Sequence, residues 1–113
     1  MTTPAREASV IRAVERYLKT LAPLVYFVNI PGGQYMRAGT PDIIVSVAGH
    51  MVLLEAKRPG GKPTPIQLAE MHKWQATNAT ARVVTSVDEV RAVIEPILAE
   101  VAAAMRAMQE NAS

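Results

Sequence analysis

Pro41-Asp42-Ile43-Ile44-Val45-Ser46-Val47-Ala48-Gly49-His50-Met51-Val52-Leu53-Leu54-Glu55-Ala56-Lys57 is the stretch that decides the fold. Two runs rich in β-branched and aliphatic residues flank a short break at Ala48-Gly49-His50, the pattern of an antiparallel hairpin. The spacing predicts strands over 42–47 and 51–57. Side chains alternate along a strand, so Glu55 and Lys57 share a face with Met51 and Leu53, and Ala56 points the other way. Asp42 lies seven residues before Gly49 and Glu55 six after it. A hairpin turning there sets the start of the first strand against the end of the second, which gathers Asp42, Glu55 and Lys57 at one end of the sheet.

Working outward, residues 5–22 read as a helix. Ala8, Ile11, Val14, Leu18 and Leu21 recur at spacings of three and four, with Thr3 as cap, Pro4 in the first turn and Pro23 closing the segment. Residues 24–30 read as a strand, and 31–40 as a loop holding Gly32, Gly33 and Gly39. A second loop covers 58–65. Thr64, Pro65 and Gln67 then have the spacing of a capping box, opening a helix to about 77 with Leu68, Met71 and Trp74 on one face. A turn over 78–81 leads to a strand at 82–85. Ser86, with Glu89 placed for a capping box, opens a last helix over 87 to about 109, in which Pro96 is expected to kink or divide the chain. Its apolar side, from Val90 through Met105 and Met108, fits either a long core helix or a contact with a second copy. The order α-β-β-β-α-β-α implies an α/β domain, a mixed central sheet flanked by helices. One domain spans 1–113, with a helical extension from about 95.

The composition narrows the function. With 113 residues the chain can bury a single core. It has no cysteine, which excludes disulfides, thiolate metal sites and cysteine nucleophiles. Two histidines, His50 and His72, leave zinc without a ligand set. Neither serine chemistry nor a nucleotide-binding glycine pattern is present, so no nucleotide cofactor is expected. No signal-type segment or spanning run appears, and a cytoplasmic location without membrane contact is the expectation. Net charge is +2, and Arg37, Lys57, Arg58, Lys62 and Lys73 cluster in the middle of the chain. Of these, Arg37, Arg58, Lys62 and Lys73 are candidate contacts to an anionic partner such as a nucleic-acid backbone, although a mild basic balance also fits an ordinary soluble protein. Tyr35 fits either stacking on a base or sugar or packing on the sheet.

Two carboxylates one strand apart repel unless a cation lies between them. A hard divalent ion, Mg²⁺ or Mn²⁺, accepts oxygen ligands, and Asp42, Glu55 and the carbonyl of Ala56 supply them. Such an ion activates water and steadies a phosphate in hydrolysis, with Lys57 orienting the water or neutralising developing charge. The bare spacing also fits an ordinary ion pair between Glu55 and Lys57 at the rim of a sheet.

Gly39-Thr40-Pro41-Asp42-Ile43-Ile44, Gly49, Leu54-Glu55-Ala56-Lys57-Arg58-Pro59-Gly60-Gly61 and Pro65-Ile66-Gln67, taken in order, resemble the VRR-NUC family, a branch of the PD-(D/E)xK nuclease superfamily. The likeness extends over about residues 7–94, and members that stand alone, often in phages, have similar length. It implies a restriction-endonuclease-like core and metal-dependent hydrolysis of DNA. Asp42 and Glu55 would be metal ligands, Lys57 the catalytic lysine, and Gln67 the family's glutamine near the site. Glu7 matches an early glutamate that approaches the metal, with Glu15 as competitor on the same helix. Thr40 and Ala56 stand where bulkier aliphatic residues are common, and neither departure removes a charged group. The stand-alone members resemble Holliday junction resolvases. Branched DNA is therefore the expected substrate, and a homodimer the expected assembly, because a four-way junction needs two cuts. A general or nicking endonuclease and a non-catalytic DNA-binding module are the alternatives.

Overall fold

The hairpin forms as the sequence implies, and the rest of the sheet is built outward from it. In the computed structural model, which describes residues 4–32 and 37–112, the elements are α1 (Pro4–Lys19), β1 (Val25–Asn29), β2 (Ile43–Val47), β3 (His50–Ala56), α2 (Pro65–Ala76), β4 (Thr80–Val84) and α3 (Val87–Ala112). The four strands lie in the order β1-β2-β3-β4. The first two pairings are antiparallel, and β3 with β4 is parallel, α2 making the crossover. Val47 pairs with His50 and Ile43 with Leu54, so the hairpin loop is the two residues Ala48 and Gly49. Both have positive φ, 49° and 93°. That conformation matches the right-handed twist of the flanking strands. It suits Gly49 and is uncommon for Ala48.

Strand alternation sorts the apolar residues onto two faces. Val25, Ile43, Val45, Val47, Val52, Leu54 and Val84 are buried with Val14 and Leu18 of α1 and Val90 and Ile94 of α3. On the other face a smaller cluster of Leu53, Met71 and Ala81, joined by Ile44, Trp74, Ala79 and Val83, lies against α2. Among the described residues Glu55 is the buried charged residue, and it occupies this second face.

Several expectations need correction. α1 ends at Lys19 rather than near 22, because Thr20 and Leu21 donate to the carbonyls of Tyr17 and Leu18 in tightened turns. β4 begins at Thr80 rather than 82, since Thr80 pairs with Val52 and Ala81 is buried beside Leu53. Leu68 is 41% exposed, the second face being filled by Met71 and Trp74 without it. Ser86 does cap α3, its Oγ accepting from the Glu89 amide at 3.2 Å. The Glu89 carboxylate, however, takes the Thr85 amide and hydroxyl instead of closing a box on Ser86. Pro96 does not divide α3. It lies exposed, where water can satisfy the carbonyl that its missing N–H leaves free. His50, beside the hairpin loop, is half-buried, its Nε2 2.8 Å from Thr80 Oγ1 across the start of the β3–β4 ladder. The proposed cap Thr3 lies outside the described residues.

Candidate active site

The ladder itself aims the acidic residues. The Ile30 amide donates to the Asp42 carbonyl at 2.7 Å, which prolongs the β1–β2 pairing to the residue just before β2. Continuing the Ile43–Leu54 register by one position sets Asp42 opposite Glu55, and Asp42 Oδ2 accepts from the Ala56 amide at 2.7 Å. The Asp42 carboxylate is thus held against β3 by the backbone of the residue beside Glu55. Glu55, only 4% exposed, stands on the same face. Lys57 follows β3, its amide bound to the Val84 carbonyl at 2.9 Å and its Nζ 3.8 Å from Glu55 Oε1.

Gln67 connects this centre to the start of α2. Thr64 Oγ1 accepts from the Gln67 amide at 3.2 Å, while Gln67 Oε1 accepts from the Thr64 amide at 2.9 Å, a reciprocal capping box. The other end of the same side-chain amide is left to donate, and Nε2 does so to Glu55 Oε1 at 2.8 Å. The helix cap therefore fixes the orientation of the buried carboxylate. The capping spacing was visible in the sequence; its extension to Glu55 had no local signal.

The pair is electrostatically strained. Burial raises the Glu55 carboxyl, the Asp42 charge raises it further, Lys57 partly offsets this, and the result is a group pushed up to about 8. Asp42 is also raised, mainly by burial, against the lowering effect of its bond from the Ala56 amide. A proton shared between the two carboxylates relieves their repulsion, so the two titrate as a pair. Glu7 adds negative charge to both. Glu15 instead lies in a shallow groove with Arg12, Arg16 and Lys19, so of the two competing glutamates Glu7 is the one whose charge reaches the centre.

An oxygen donor set of this kind suits a hard divalent cation. Asp42 and Glu55 supply two carboxylates that are costly to ionise side by side, and the carbonyl of Ala56, the residue whose amide holds Asp42, would be a further oxygen donor. Among the described residues no three His, Cys, Asp or Glu side chains converge as a cluster, so the set is two carboxylates with backbone support rather than a three-carboxylate cage. Asp42, Glu55 and Gln67 line one cleft of about 250 Å³, walled by Ile30–Gly32 and by the turn of Arg37, Gly39 and Thr40. A larger hollow, about 670 Å³, lies at the far end of the sheet between β4 and α3, and none of the expected catalytic residues lines it.

The expected DNA contacts are dispersed. Arg37 borders the cleft and is bound to Glu70, which also holds Lys73. Arg58 is half-buried, Nη1 reaching the Pro59 carbonyl at 3.4 Å and Nε buried without a partner among the described residues. Lys62 is exposed on the loop before α2. Tyr35 lies outside the described residues. Glu70 was not anticipated: its partner Arg37 is thirty-three residues away in sequence, and only the folded chain brings them together.

No family model matches the chain. Over 66 residues, 58% of this chain and 67% of the relative, it is 35% identical to "Putative nuclease p44" of Acyrthosiphon pisum secondary endosymbiont phage 1. Two solved structures share its fold. One, described as "VRR_NUC domain", superposes with a TM-score of 0.67 at 26% identity, covering 80% of this chain and 95% of that one. The other, "VRR_NUC domain protein", gives 0.67 at 25%, covering 79% and 84%. With the hairpin-borne acids, the lysine and the helix-opening glutamine assembled on one sheet face, and with these relatives alike in sequence and fold, the chain belongs to the VRR-NUC family of nuclease domains.

Proposed function

We propose that this nuclease domain hydrolyses DNA phosphodiester bonds as a divalent-metal-dependent endonuclease, with Asp42, Glu55, Lys57 and Gln67 as its working residues. The observation that carries the reading is the Asp42–Glu55 pair: two carboxylates held on one face at the mouth of a cleft, one of them pushed up to about 8. Buried like charges persist where function requires them, and a cation is their natural complement.

Asp42, Glu55 and the Ala56 carbonyl would hold Mg²⁺ or Mn²⁺, and Glu7 would add negative potential from the end of α1. When bound, the ion supplies Lewis acidity toward the phosphate and toward water. The chain's own residues do the positioning. The Ala56 amide fixes Asp42, and Gln67 fixes Glu55. Lys57, close to Glu55, brings a positive charge to where the attacked phosphate gathers negative charge. Arg37, Arg58, Lys62 and Lys73 would meet the flanking backbone.

Branched DNA, the four-way junction in particular, is the proposed substrate, and a homodimer the proposed assembly. A four-way junction is met through its shape and backbone rather than its base sequence, and it must be cut twice. A second copy would supply the second active centre by symmetry. The outer half of α3, with Met105 and Met108 exposed, offers an apolar surface for that contact.

The test is cleavage of labelled linear, flap and four-way DNA with and without Mg²⁺, with Lys57→Ala as control for contaminating nuclease. Metal-dependent cutting by the wild type, absent in the variant, supports the reading. Wild-type protein that cuts nothing in any divalent ion, or a variant that cuts equally well, refutes it.

A further inference from the structure

One oxygen of Glu70 binds two cations from different parts of the chain. Arg37 Nη2 approaches Oε1 at 3.0 Å from the turn before β2, and Lys73 Nζ approaches the same oxygen at 3.1 Å from the next turn of α2. Exposure is distributed unequally: the Glu70 side chain is 14% exposed, Arg37 70% and Lys73 65%. The anion sits inside and both cations face out. A guanidinium has five N–H donors and an ammonium three, so this bonding leaves most of them free on the outer side. The cluster as a whole carries one net positive charge.

The turn bearing Arg37 is itself fixed. The Thr40 amide and hydroxyl both bind the Arg37 carbonyl, at 3.2 and 2.6 Å. Gly39, at φ +82°, is pressed against α2 so closely that a Cβ would fall 2.8 Å from Glu70 Cγ and 2.9 Å from the Ile66 carbonyl. Arg37 also borders the cleft that holds Asp42 and Glu55, and Glu70 lies one turn along α2 from Gln67.

We propose that Glu70 is a positioning residue that sets Arg37 and Lys73 as a paired subsite for a DNA backbone phosphate beside the one that is cut. The proposal rests on the DNA-nuclease reading and adds to it a residue whose charge is opposite to that expected at a DNA surface. Two long cationic side chains that are already held in place lose less freedom on meeting a phosphate. Judged by charge alone, removing a carboxylate from such a surface strengthens binding to a polyanion. Preorganisation gives the opposite sign, and that opposition makes the idea testable.

The experiment measures binding of the full chain to a fluorescent duplex by anisotropy across a salt series. Ca²⁺ replaces Mg²⁺, and a denaturing gel checks that the strand stays intact. Glu70→Gln should bind about 3- to 10-fold more weakly than wild type, the scale of one charged contact at a rim, with an unchanged melting temperature. Glu70→Asp, which keeps the charge but is one methylene shorter, should fall between them. Arg37→Ala and Lys73→Ala should each flatten the slope of log K against log salt by about 0.9. With both cations removed, Glu70→Gln should weaken binding no further. If wild type binds DNA while Glu70→Gln and Glu70→Asp bind as tightly or more tightly, this inference alone is overturned. If wild type shows no salt-dependent binding, the DNA-nuclease reading falls and takes the subsite with it.

Discussion

The two faces of the sheet divide the work of the molecule. The face beneath α1 and α3 has an apolar centre, with Val14, Leu18, Ile43, Leu54 and Ile94 fully buried, and carries His50, Thr80 and Arg82 toward the far end of β3 and β4. The face beneath α2 has a smaller cluster, and its open end carries Asp42, Glu55, Lys57 and Gln67. The residues of β3 alternate between the two roles: Leu54 belongs to the first face, Glu55 to the second and Ala56 to the first again. One strand thus contributes a core side chain and a buried carboxyl group, raised by its surroundings, at adjacent positions. Apolar burial is concentrated on one side of the sheet, and the strained acidic pair lies on the other.

If this division holds, the largest effect should come from Asp42→Asn. Nuclease activity on DNA is expected to drop by about 10³-fold or more, as for loss of a charged group acting on the transition state, while circular dichroism shows an intact fold. Full unfolding of this variant would show that the acidic face also holds the structure together. Leu54→Ala, one position from Glu55, should behave in the opposite way. It is expected to cost about 3 kcal/mol in urea denaturation through the cavity it leaves, with near-normal cutting by the molecules that remain folded.

The pH dependence sharpens the contrast. Folded Glu55 keeps its proton up to about 8, whereas its ordinary value is 4.5. Between these values the folded state binds more protons than the unfolded state, so the stability of the metal-free protein falls as pH rises through this window and levels off above it. Glu55→Gln should abolish most of that decline in a series of denaturant titrations. A wild-type protein equally stable at both ends of the window would mean that Glu55 is ionised when folded. The smallest effect belongs to Gln67→Glu. It keeps a side-chain oxygen to accept from the Thr64 amide in the box but removes the donor to Glu55, so thermal stability should shift by about 1 kcal/mol or less while kcat falls about tenfold. A Tm loss equal to that of a destroyed cap would assign Gln67 to the helix alone.

Much of this was legible because local rules and the global fold agree along the hairpin. The alternation from Ile43 to Val47, the break at Gly49 and the position of Asp42 set the register that brings the acids together. The Thr64–Gln67 box was likewise readable from spacing. Misreadings occurred where tertiary contacts overrode local pattern. Thr80 and Ala81 look like turn residues, yet parallel pairing and burial draw them into β4. Leu68 fits an apolar stripe on α2, yet the small second face has no room for it. The bonds from Gln67 to Glu55 and from Arg37 to Glu70 span twelve and thirty-three residues, and no periodicity encodes them.

The most direct measurement is the melting temperature of the metal-free protein with Mn²⁺ added at about pH 8 and at about pH 5.5. Ligand binding to the native state raises the midpoint, and carboxylate ligands must release their proton first. The expected result is a clear upward shift at the higher pH, a much smaller one at the lower, and none at either in Asp42→Asn. An Mn²⁺ response that is missing from the wild type, or that survives intact in Asp42→Asn, contradicts the account.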